Sequence, residues 1–148
     1  PIDIIEKDTI LKLVGDGDGS VVICAGGGGI PVVRKEGKLL GVEAVIDKDL
    51  AAAVLAKVIG WKTLVIATDV EKVALDYGKP SQRFLDKMTL AEAKTHLAEG
   101  QFPAGSMGPK VLAAIQFLES GGERAVITDL EHLTSAVDHK GGTQVTKG

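Results

Sequence analysis

The chain has 148 residues, 45% of them apolar and 25% charged, with a formal net charge of −3. That length suits one domain, and that balance excludes a disordered chain. The slight acidity and the lack of a long basic stretch exclude nucleic acid as the main partner, because a phosphate backbone demands a basic face.

Only 3% of the residues are aromatic, so the core must be built from Val, Ile, Leu and Ala, as in proteins with buried parallel sheets. Cys24 is the single cysteine, which excludes an internal disulfide and points to a reducing compartment. The sequence shows no signal-peptide pattern and no apolar run of transmembrane length. No membrane partner and a cytoplasmic location are therefore expected. The chain opens with Pro1 instead of Met, which reads as a processed product or an excised piece of something longer.

Apolar residues at 2, 4, 5, 10, 11, 13 and 14 predict an amphipathic helix over 2–14. GDGDGS at 15–20 predicts a turn. Asp16, Asp18 and Ser20 alternate there as in a calcium loop, but that loop needs Gly at its sixth position and Glu at its twelfth. Val21 and Gly27 stand in those places, so calcium is not expected. VVICA at 21–25 predicts a strand of the buried type. Residues 31–33 begin another short strand, and RKEGKLLG at 34–41 reads as a polar turn. A helix runs to Ile59, capped by Asp47 or Asp49 and ended by Gly60. KTLVIAT at 62–68 is a second buried strand, and EKVALDYGKPSQ at 71–82 a short strand followed by a Gly/Pro turn.

Thr89 and Glu92 have capping-box spacing at the head of a helix that Gly100 stops. FPAGSMGPK leads into a helix over 109–120, closed by Gly121 and Gly122. RAVIT at 124–128 is a third buried strand, LEHLTSAVD at 130–138 a short helix, and GGTQVTKG at 141–148 an edge strand. Strands alternating with helices predict an α/β fold, a mainly parallel sheet sandwiched between helices.

In such sheets ligands bind beyond the carboxyl ends of strands, in loops that lead into helices. Gly26, Gly27, Gly28 and Gly29 form one such loop. Glycines let backbone N–H groups turn toward an anion; a tight turn or close packing would explain the same run. Neither the phosphate-loop pattern nor the dinucleotide pattern is present. GSMGPK is a second such loop. Its Lys110 falls in the first turn of a helix, where a cation opposes the helix dipole. A nearby anion would explain it, and a solvated surface lysine is the alternative. Asp47, Lys48 and Asp49 interrupt an apolar stretch at a helix start. The carboxylates suit that place as caps, but Lys48 does not. An acid–base–acid cluster could orient lysines around a transferring phosphoryl group. His96, His132 and His139 lack metal-ligand spacing and read as exposed. Cys24 reads as a buried structural thiol, and Trp61 as packing at a helix–strand junction. Tyr77 either stacks on a base or covers the core.

VVICAGGGGIPVV, GVEAVIDKDLAAAVLA, TLVIATDVEKV, YGKPSQ, GSMGPKVLAAIQFLESGGERAVIT and GGTQV follow one another in the order seen in carbamate kinases, members of the amino-acid-kinase superfamily. Essentially the whole chain resembles that family, but only its carboxyl-terminal, ATP/ADP-binding half. The amino-terminal lobe carries another glycine-rich loop, a further lysine and much of the carbamate and dimer surface, and it has no counterpart here. The resemblance implies phosphoryl transfer between ATP/ADP and carbamate or carbamoyl phosphate, incomplete catalysis by this chain alone, and a homodimer in the full-length parent. It implies that Gly26 to Gly29 line the phosphoryl-transfer end of the substrate site. Asp49 would organise the catalytic lysines, and Lys48 and Lys110 would neutralise the phosphates. Thr68, Asp69 and Val70 would contact the nucleotide. Tyr77, Gly105, Ser106, Met107 and Gly108 would border adenine and ribose. Mg²⁺ would ride on the phosphates, with no dedicated protein metal ligand. The alternatives are a non-catalytic nucleotide-binding module and a superfamily member that phosphorylates a carboxylate or phosphonate.

Overall fold

The computed structural model describes residues 1–15, 19 and 21–148; the predicted turn and the calcium-like alternation at Asp16, Asp18 and Ser20 lie outside the described residues. Helix α1 spans Lys7–Gly15, not 2–14. Ile2 and Ile5 are exposed, and Ile10 is the helix's buried anchor. Residues 21–25 do not form the predicted buried strand. They join no sheet among the described residues, and Val21 and Ile23 are 89% and 93% exposed. Their composition suits burial, but a strand is buried only where a neighbour covers it. Cys24 is correspondingly half-buried, not core. The short strand expected to begin at 31–33 is β1 (Val32–Lys35), and within the stretch expected as a polar turn β2 (Lys38–Gly41) pairs with it antiparallel. Glu36 and Gly37 both take positive φ, at 50° and 78°, as a two-residue hairpin turn of type I′ requires.

Helix α2 (Lys48–Ile59) settles the choice of cap. The Asp47 carboxylate accepts from the backbone N–H of Asp49 at 2.8 Å and of Leu50 at 3.0 Å. Strand β3 (Thr63–Thr68) follows, then the short β4 (Ala74–Leu75), β5 (Arg83–Phe84) and β6 (Lys87–Thr89). Trp61 sits at the expected junction, yet it is 52% exposed and so is not core packing. Helix α3 (Leu90–Ala98) carries the full capping box. The Thr89 hydroxyl accepts from the Glu92 N–H, and the Glu92 carboxylate accepts from the Thr89 N–H at 2.8 Å. That backbone donor and the Thr89 hydroxyl hold Glu92 below the usual carboxylate range. Thr89→Ala is expected to destabilise the chain by about 1 kcal/mol, read as a lower urea midpoint at unchanged slope.

Helix α4 (Met107–Glu119), strand β7 (Arg124–Asp129), helix α5 (Leu133–Val137) and strand β8 (Thr143–Thr146) complete the chain. The main sheet runs β3-β7-β8-β6. β3 and β7 pair parallel, as do β6 and β8, while β7 and β8 pair antiparallel. The fold is α/β with a mainly parallel sheet, as expected. β8 is not the edge strand its polar residues suggested; it lies between β7 and β6. Its buried Thr143 and Gln144 are fully partnered. The Thr143 hydroxyl accepts from the Val73 N–H at 2.8 Å, and the Gln144 amide donates to the Ala136 and Gly141 carbonyls.

The core sits between β7 and α4. Ala125, Val126, Ile127 and Thr128 are all fully buried. Successive strand residues face opposite ways, so both faces of β7 are covered. Val111, Ala114, Phe117 and Leu118 of α4 are equally buried, and α4 packs on α2, α3 and β7. This packing brings the first turns of α2 and α4 side by side.

Candidate active site

β3 and β7 run in register to a common end, Thr68 opposite Asp129. Beyond it the chain leaves β3 into a cavity of about 310 Å³. Thr68, Asp69, Val70 and Tyr77 line one part of it; Gly105, Ser106, Met107 and Lys110, from the start of α4, line another. The cavity lies beyond the carboxyl end of a parallel strand, where α/β sheets hold ligands. Lys72, Ala74, Phe102 and Pro103 line it too. These four carried no signal of their own in the sequence, apart from the place of Phe102 and Pro103 just before the glycine-containing loop.

Lys110 is not a solvated surface lysine. It is 8% exposed, and its ammonium lies 2.9 Å from an oxygen of Asp49, which is itself 6% exposed. The Lys48 ammonium lies 3.6 Å from the same oxygen. Segments 61 residues apart thus share one carboxylate. Two cations flank this one anion, and the N-terminus of α4 adds its partial positive charge; at α2 the Asp47 carboxylate already takes up the first N–H groups. The Ser106 side chain does not cap α4. The arrangement suits an anion with several oxygens, such as a phosphate chain.

The glycine run lies apart from this lining. None of Gly26 to Gly29 borders the cavity. The Gly28 N–H donates to the Ala25 carbonyl at 2.8 Å, closing a turn. Gly28 has φ of 132°, and a Cβ there would run into the Ile46 carbonyl oxygen. The loop is therefore pressed against the residue just before Asp47 and Lys48. Gly108 does not line the cavity either. Its N–H donates to the Pro103 carbonyl at 2.9 Å, which pins the 102–107 loop to α4.

The three histidines hold no metal cluster: no group of three His, Cys, Asp or Glu side chains is placed for an ion among the described residues. His132 instead serves the end of β7. Its N–H and its ring Nδ1 both lie 2.8 Å from Oδ1 of Asp129. That contact raises the His132 pKa, and the His132 backbone N–H is the main cause that lowers the pKa of Asp129. A raised histidine stabilises the fold below its unfolded value and ceases to do so as pH rises through the folded value. A lowered aspartate stabilises above its unfolded value and ceases as pH falls through the folded one. The pair therefore supports the fold most between those two limits. His132→Gln is expected to lower the melting temperature at about pH 6 and to change it little at about pH 9; matched thermal scans at both pH values check this.

The chain matches the amino acid kinase family over residues 1–129. It is 50% identical over 143 residues to the carbamate kinase of Thermococcus kodakarensis, covering 97% of this chain and 45% of that protein. It is 47% identical over 146 residues to the carbamate kinase-like protein YqeA of Escherichia coli, covering 98% of this chain and 46% of that one. Its backbone superposes on the Giardia lamblia carbamate kinase bound to AMP-PNP with a TM-score of 0.95 at 42% identity, over 100% of this chain and 46% of that one. The chain thus spans under half the length of the curated relatives it matches. Among the described residues no helix is long and apolar enough to cross a membrane. A match of this extent, on a cavity at the carboxyl end of a parallel strand, means that the chain belongs to the amino acid kinase family.

Proposed function

We propose that this chain supplies the nucleotide-binding part of a carbamate kinase, which moves a phosphoryl group between carbamoyl phosphate and ADP to give carbamate and ATP. One observation carries the reading: Lys48, Asp49 and Lys110 converge where two helix N-termini meet, at a cavity lined by the residues expected to hold the nucleotide. Phosphoryl transfer asks mainly for positioning and positive charge. Asp49 holds the two ammonium groups in place. Lys48 and Lys110 neutralise charge on the transferred group and on the terminal phosphates. Thr68, Asp69 and Val70 border the nucleotide, and Tyr77 with Gly105, Ser106 and Met107 its base and ribose. Gly28 keeps Gly26–Gly29 against Ile46, near the phosphoryl end.

Mg²⁺ would neutralise phosphate oxygens when bound with the nucleotide. Among the described residues Asp69 is the one carboxylate lining the cavity, which fits an ion held mostly by phosphates.

Calorimetric titration with ADP, beside a coupled assay for ATP formation from carbamoyl phosphate, tests this reading. Saturable ADP binding at one site is expected. No ADP binding at millimolar concentration would overturn it. The chain's coverage of under half its relatives favours a second reading, a nucleotide-binding unit that needs a complementary polypeptide for turnover. ADP binding without ATP formation is the result expected from it.

A further inference from the structure

Every residue from 33 to 45 is exposed, yet most of this stretch is regular structure. β1 and β2 pair in register through the turn at Glu36 and Gly37. A two-stranded hairpin on its own is marginal in water. Among the described residues, no other helix or strand packs substantially on this one. The side chains alternate across each strand, so the pairing sorts them onto two faces. On one, Val33 stands opposite Leu40, with Lys35 opposite Lys38 beyond them; on the other, Arg34 stands opposite Leu39. The Val42 N–H donates to the Pro31 carbonyl at 3.0 Å, which continues the ladder and adds Pro31 and Val42 to the first face. Pro31, Val33, Leu40 and Val42 thus form an apolar strip with lysines only at its tip. Val33 is 51% exposed and Leu40 45%. Glu36 in the turn and Glu43 past Val42 offset part of the lysine charge, so the apolar strip sets what fits this face.

The strip adjoins the site. The first strand leads out of the Gly26–Gly29 run, and the second leads back to Ile46, Asp47 and Lys48. Gly28 is pressed against Ile46, which ties the two ends together. A polypeptide seated on the strip therefore stands next to the lysines proposed to hold the phosphoryl group. A second copy of this chain would bring only the same glycines and lysines again. The relatives have more to offer. The match covers 97% of this chain and 45% of the Thermococcus kodakarensis protein, so over half of that relative lies outside it. That is length enough for an acceptor side of the reaction.

We propose that the Val33–Leu40 face of the β1–β2 hairpin is the docking surface for the polypeptide that corresponds to the unmatched part of those relatives. The proposal rests on the reading of the chain as a unit that needs a complementary polypeptide, and its test separates the two. The chain is co-expressed with the unmatched part of the Thermococcus kodakarensis carbamate kinase, as wild type and as Val33→Thr/Leu40→Thr. Threonine keeps strand propensity and removes the apolar strip. The free chain should therefore melt as wild type does, since both positions are on the surface. Wild type is expected to purify with that partner at one to one. The double variant is expected to bind it about a hundredfold more weakly, the transfer free energy of two half-buried aliphatic side chains. Leu130→Thr is the control; Leu130 is 75% exposed and outside the hairpin, so its affinity should match wild type. A chimera in which this chain replaces the matched part of the Thermococcus enzyme gives a second readout that does not need the partner to fold alone. There the double variant is expected to lower the melting temperature by several degrees, while the free chain is unaffected. No complex with wild type, or equal melting of the two chimeras, would overturn the docking surface. So would a wild-type chain that pairs with itself and loses that pairing in the double variant, because the strip would then hold a second copy. A complex lost in the double variant that makes no ATP from carbamoyl phosphate would support the docking surface and overturn the catalytic reading alone.

Discussion

Asp49→Ala is expected to destabilise the chain by about 3 kcal/mol. The substitution leaves the Lys110 ammonium in a place only 8% exposed, without the carboxylate 2.9 Å away. Removing one partner of a buried pair costs more than the pair contributed, because the remaining charge stays desolvated. The effect falls at the low end of the usual range because Lys110 also borders the cavity, where water reaches it. Lys110→Met added to Asp49→Ala is expected to restore most of the stability, since both charges then leave together. It is not expected to restore ADP binding. Urea denaturation of the two single variants and the double variant gives the coupling. A loss below about 1 kcal/mol for Asp49→Ala would mean that the pair behaves as a surface contact.

Much of this arrangement was legible in the residues. Asp47 before an Ala/Leu run, Thr89 three places before Glu92, and Gly60 after Ile59 each mark a helix end by local chemistry, and each end lies where that chemistry puts it. The apolar runs of β3 and β7 marked buried strands for the same reason. Long-range facts were not legible. Thr143 and Gln144 look like residues of a solvent-facing edge, and they are buried because Val73, Ala136 and Gly141 supply their hydrogen bonds. Val21 and Ile23 look like core, and they are exposed because no described strand lies beside them. Lys48, Asp49 and Lys110 could be named as candidates from their helix positions. That Lys110 and Asp49 are buried together depends on α2 packing against α4. Lys72 gave no signal, because its place depends on Asp86, fourteen residues along the chain.

Gly28→Val is expected to destabilise the chain by about 2 kcal/mol and to weaken ADP binding about tenfold. A β-branched residue disfavours φ of 132°, and its Cβ would enter the space of the Ile46 carbonyl. The loop is partly exposed and can move away, so the fold survives. The movement would be passed to Ile46 and Asp47, and so to the first turn of α2, where Lys48 and Asp49 stand. Gly27→Ala is the control. Gly27 has no positive φ, and a Cβ there meets nothing within 4 Å, so its stability and ADP affinity should match wild type. Equal behaviour of the Gly28→Val and Gly27→Ala chains, by thermal scan and by titration, would show that the contact with Ile46 carries no such function.

Hydrogen exchange of the chain with and without saturating AMP-PNP reads the proposed phosphate and nucleoside contacts together. Slower exchange is expected in three separate stretches, 47–50, 68–73 and 105–110, with the rest of the chain unchanged. Protection confined to a single stretch, or lying outside all three, would mean that Lys48, Asp49 and Lys110 do not close on one nucleotide.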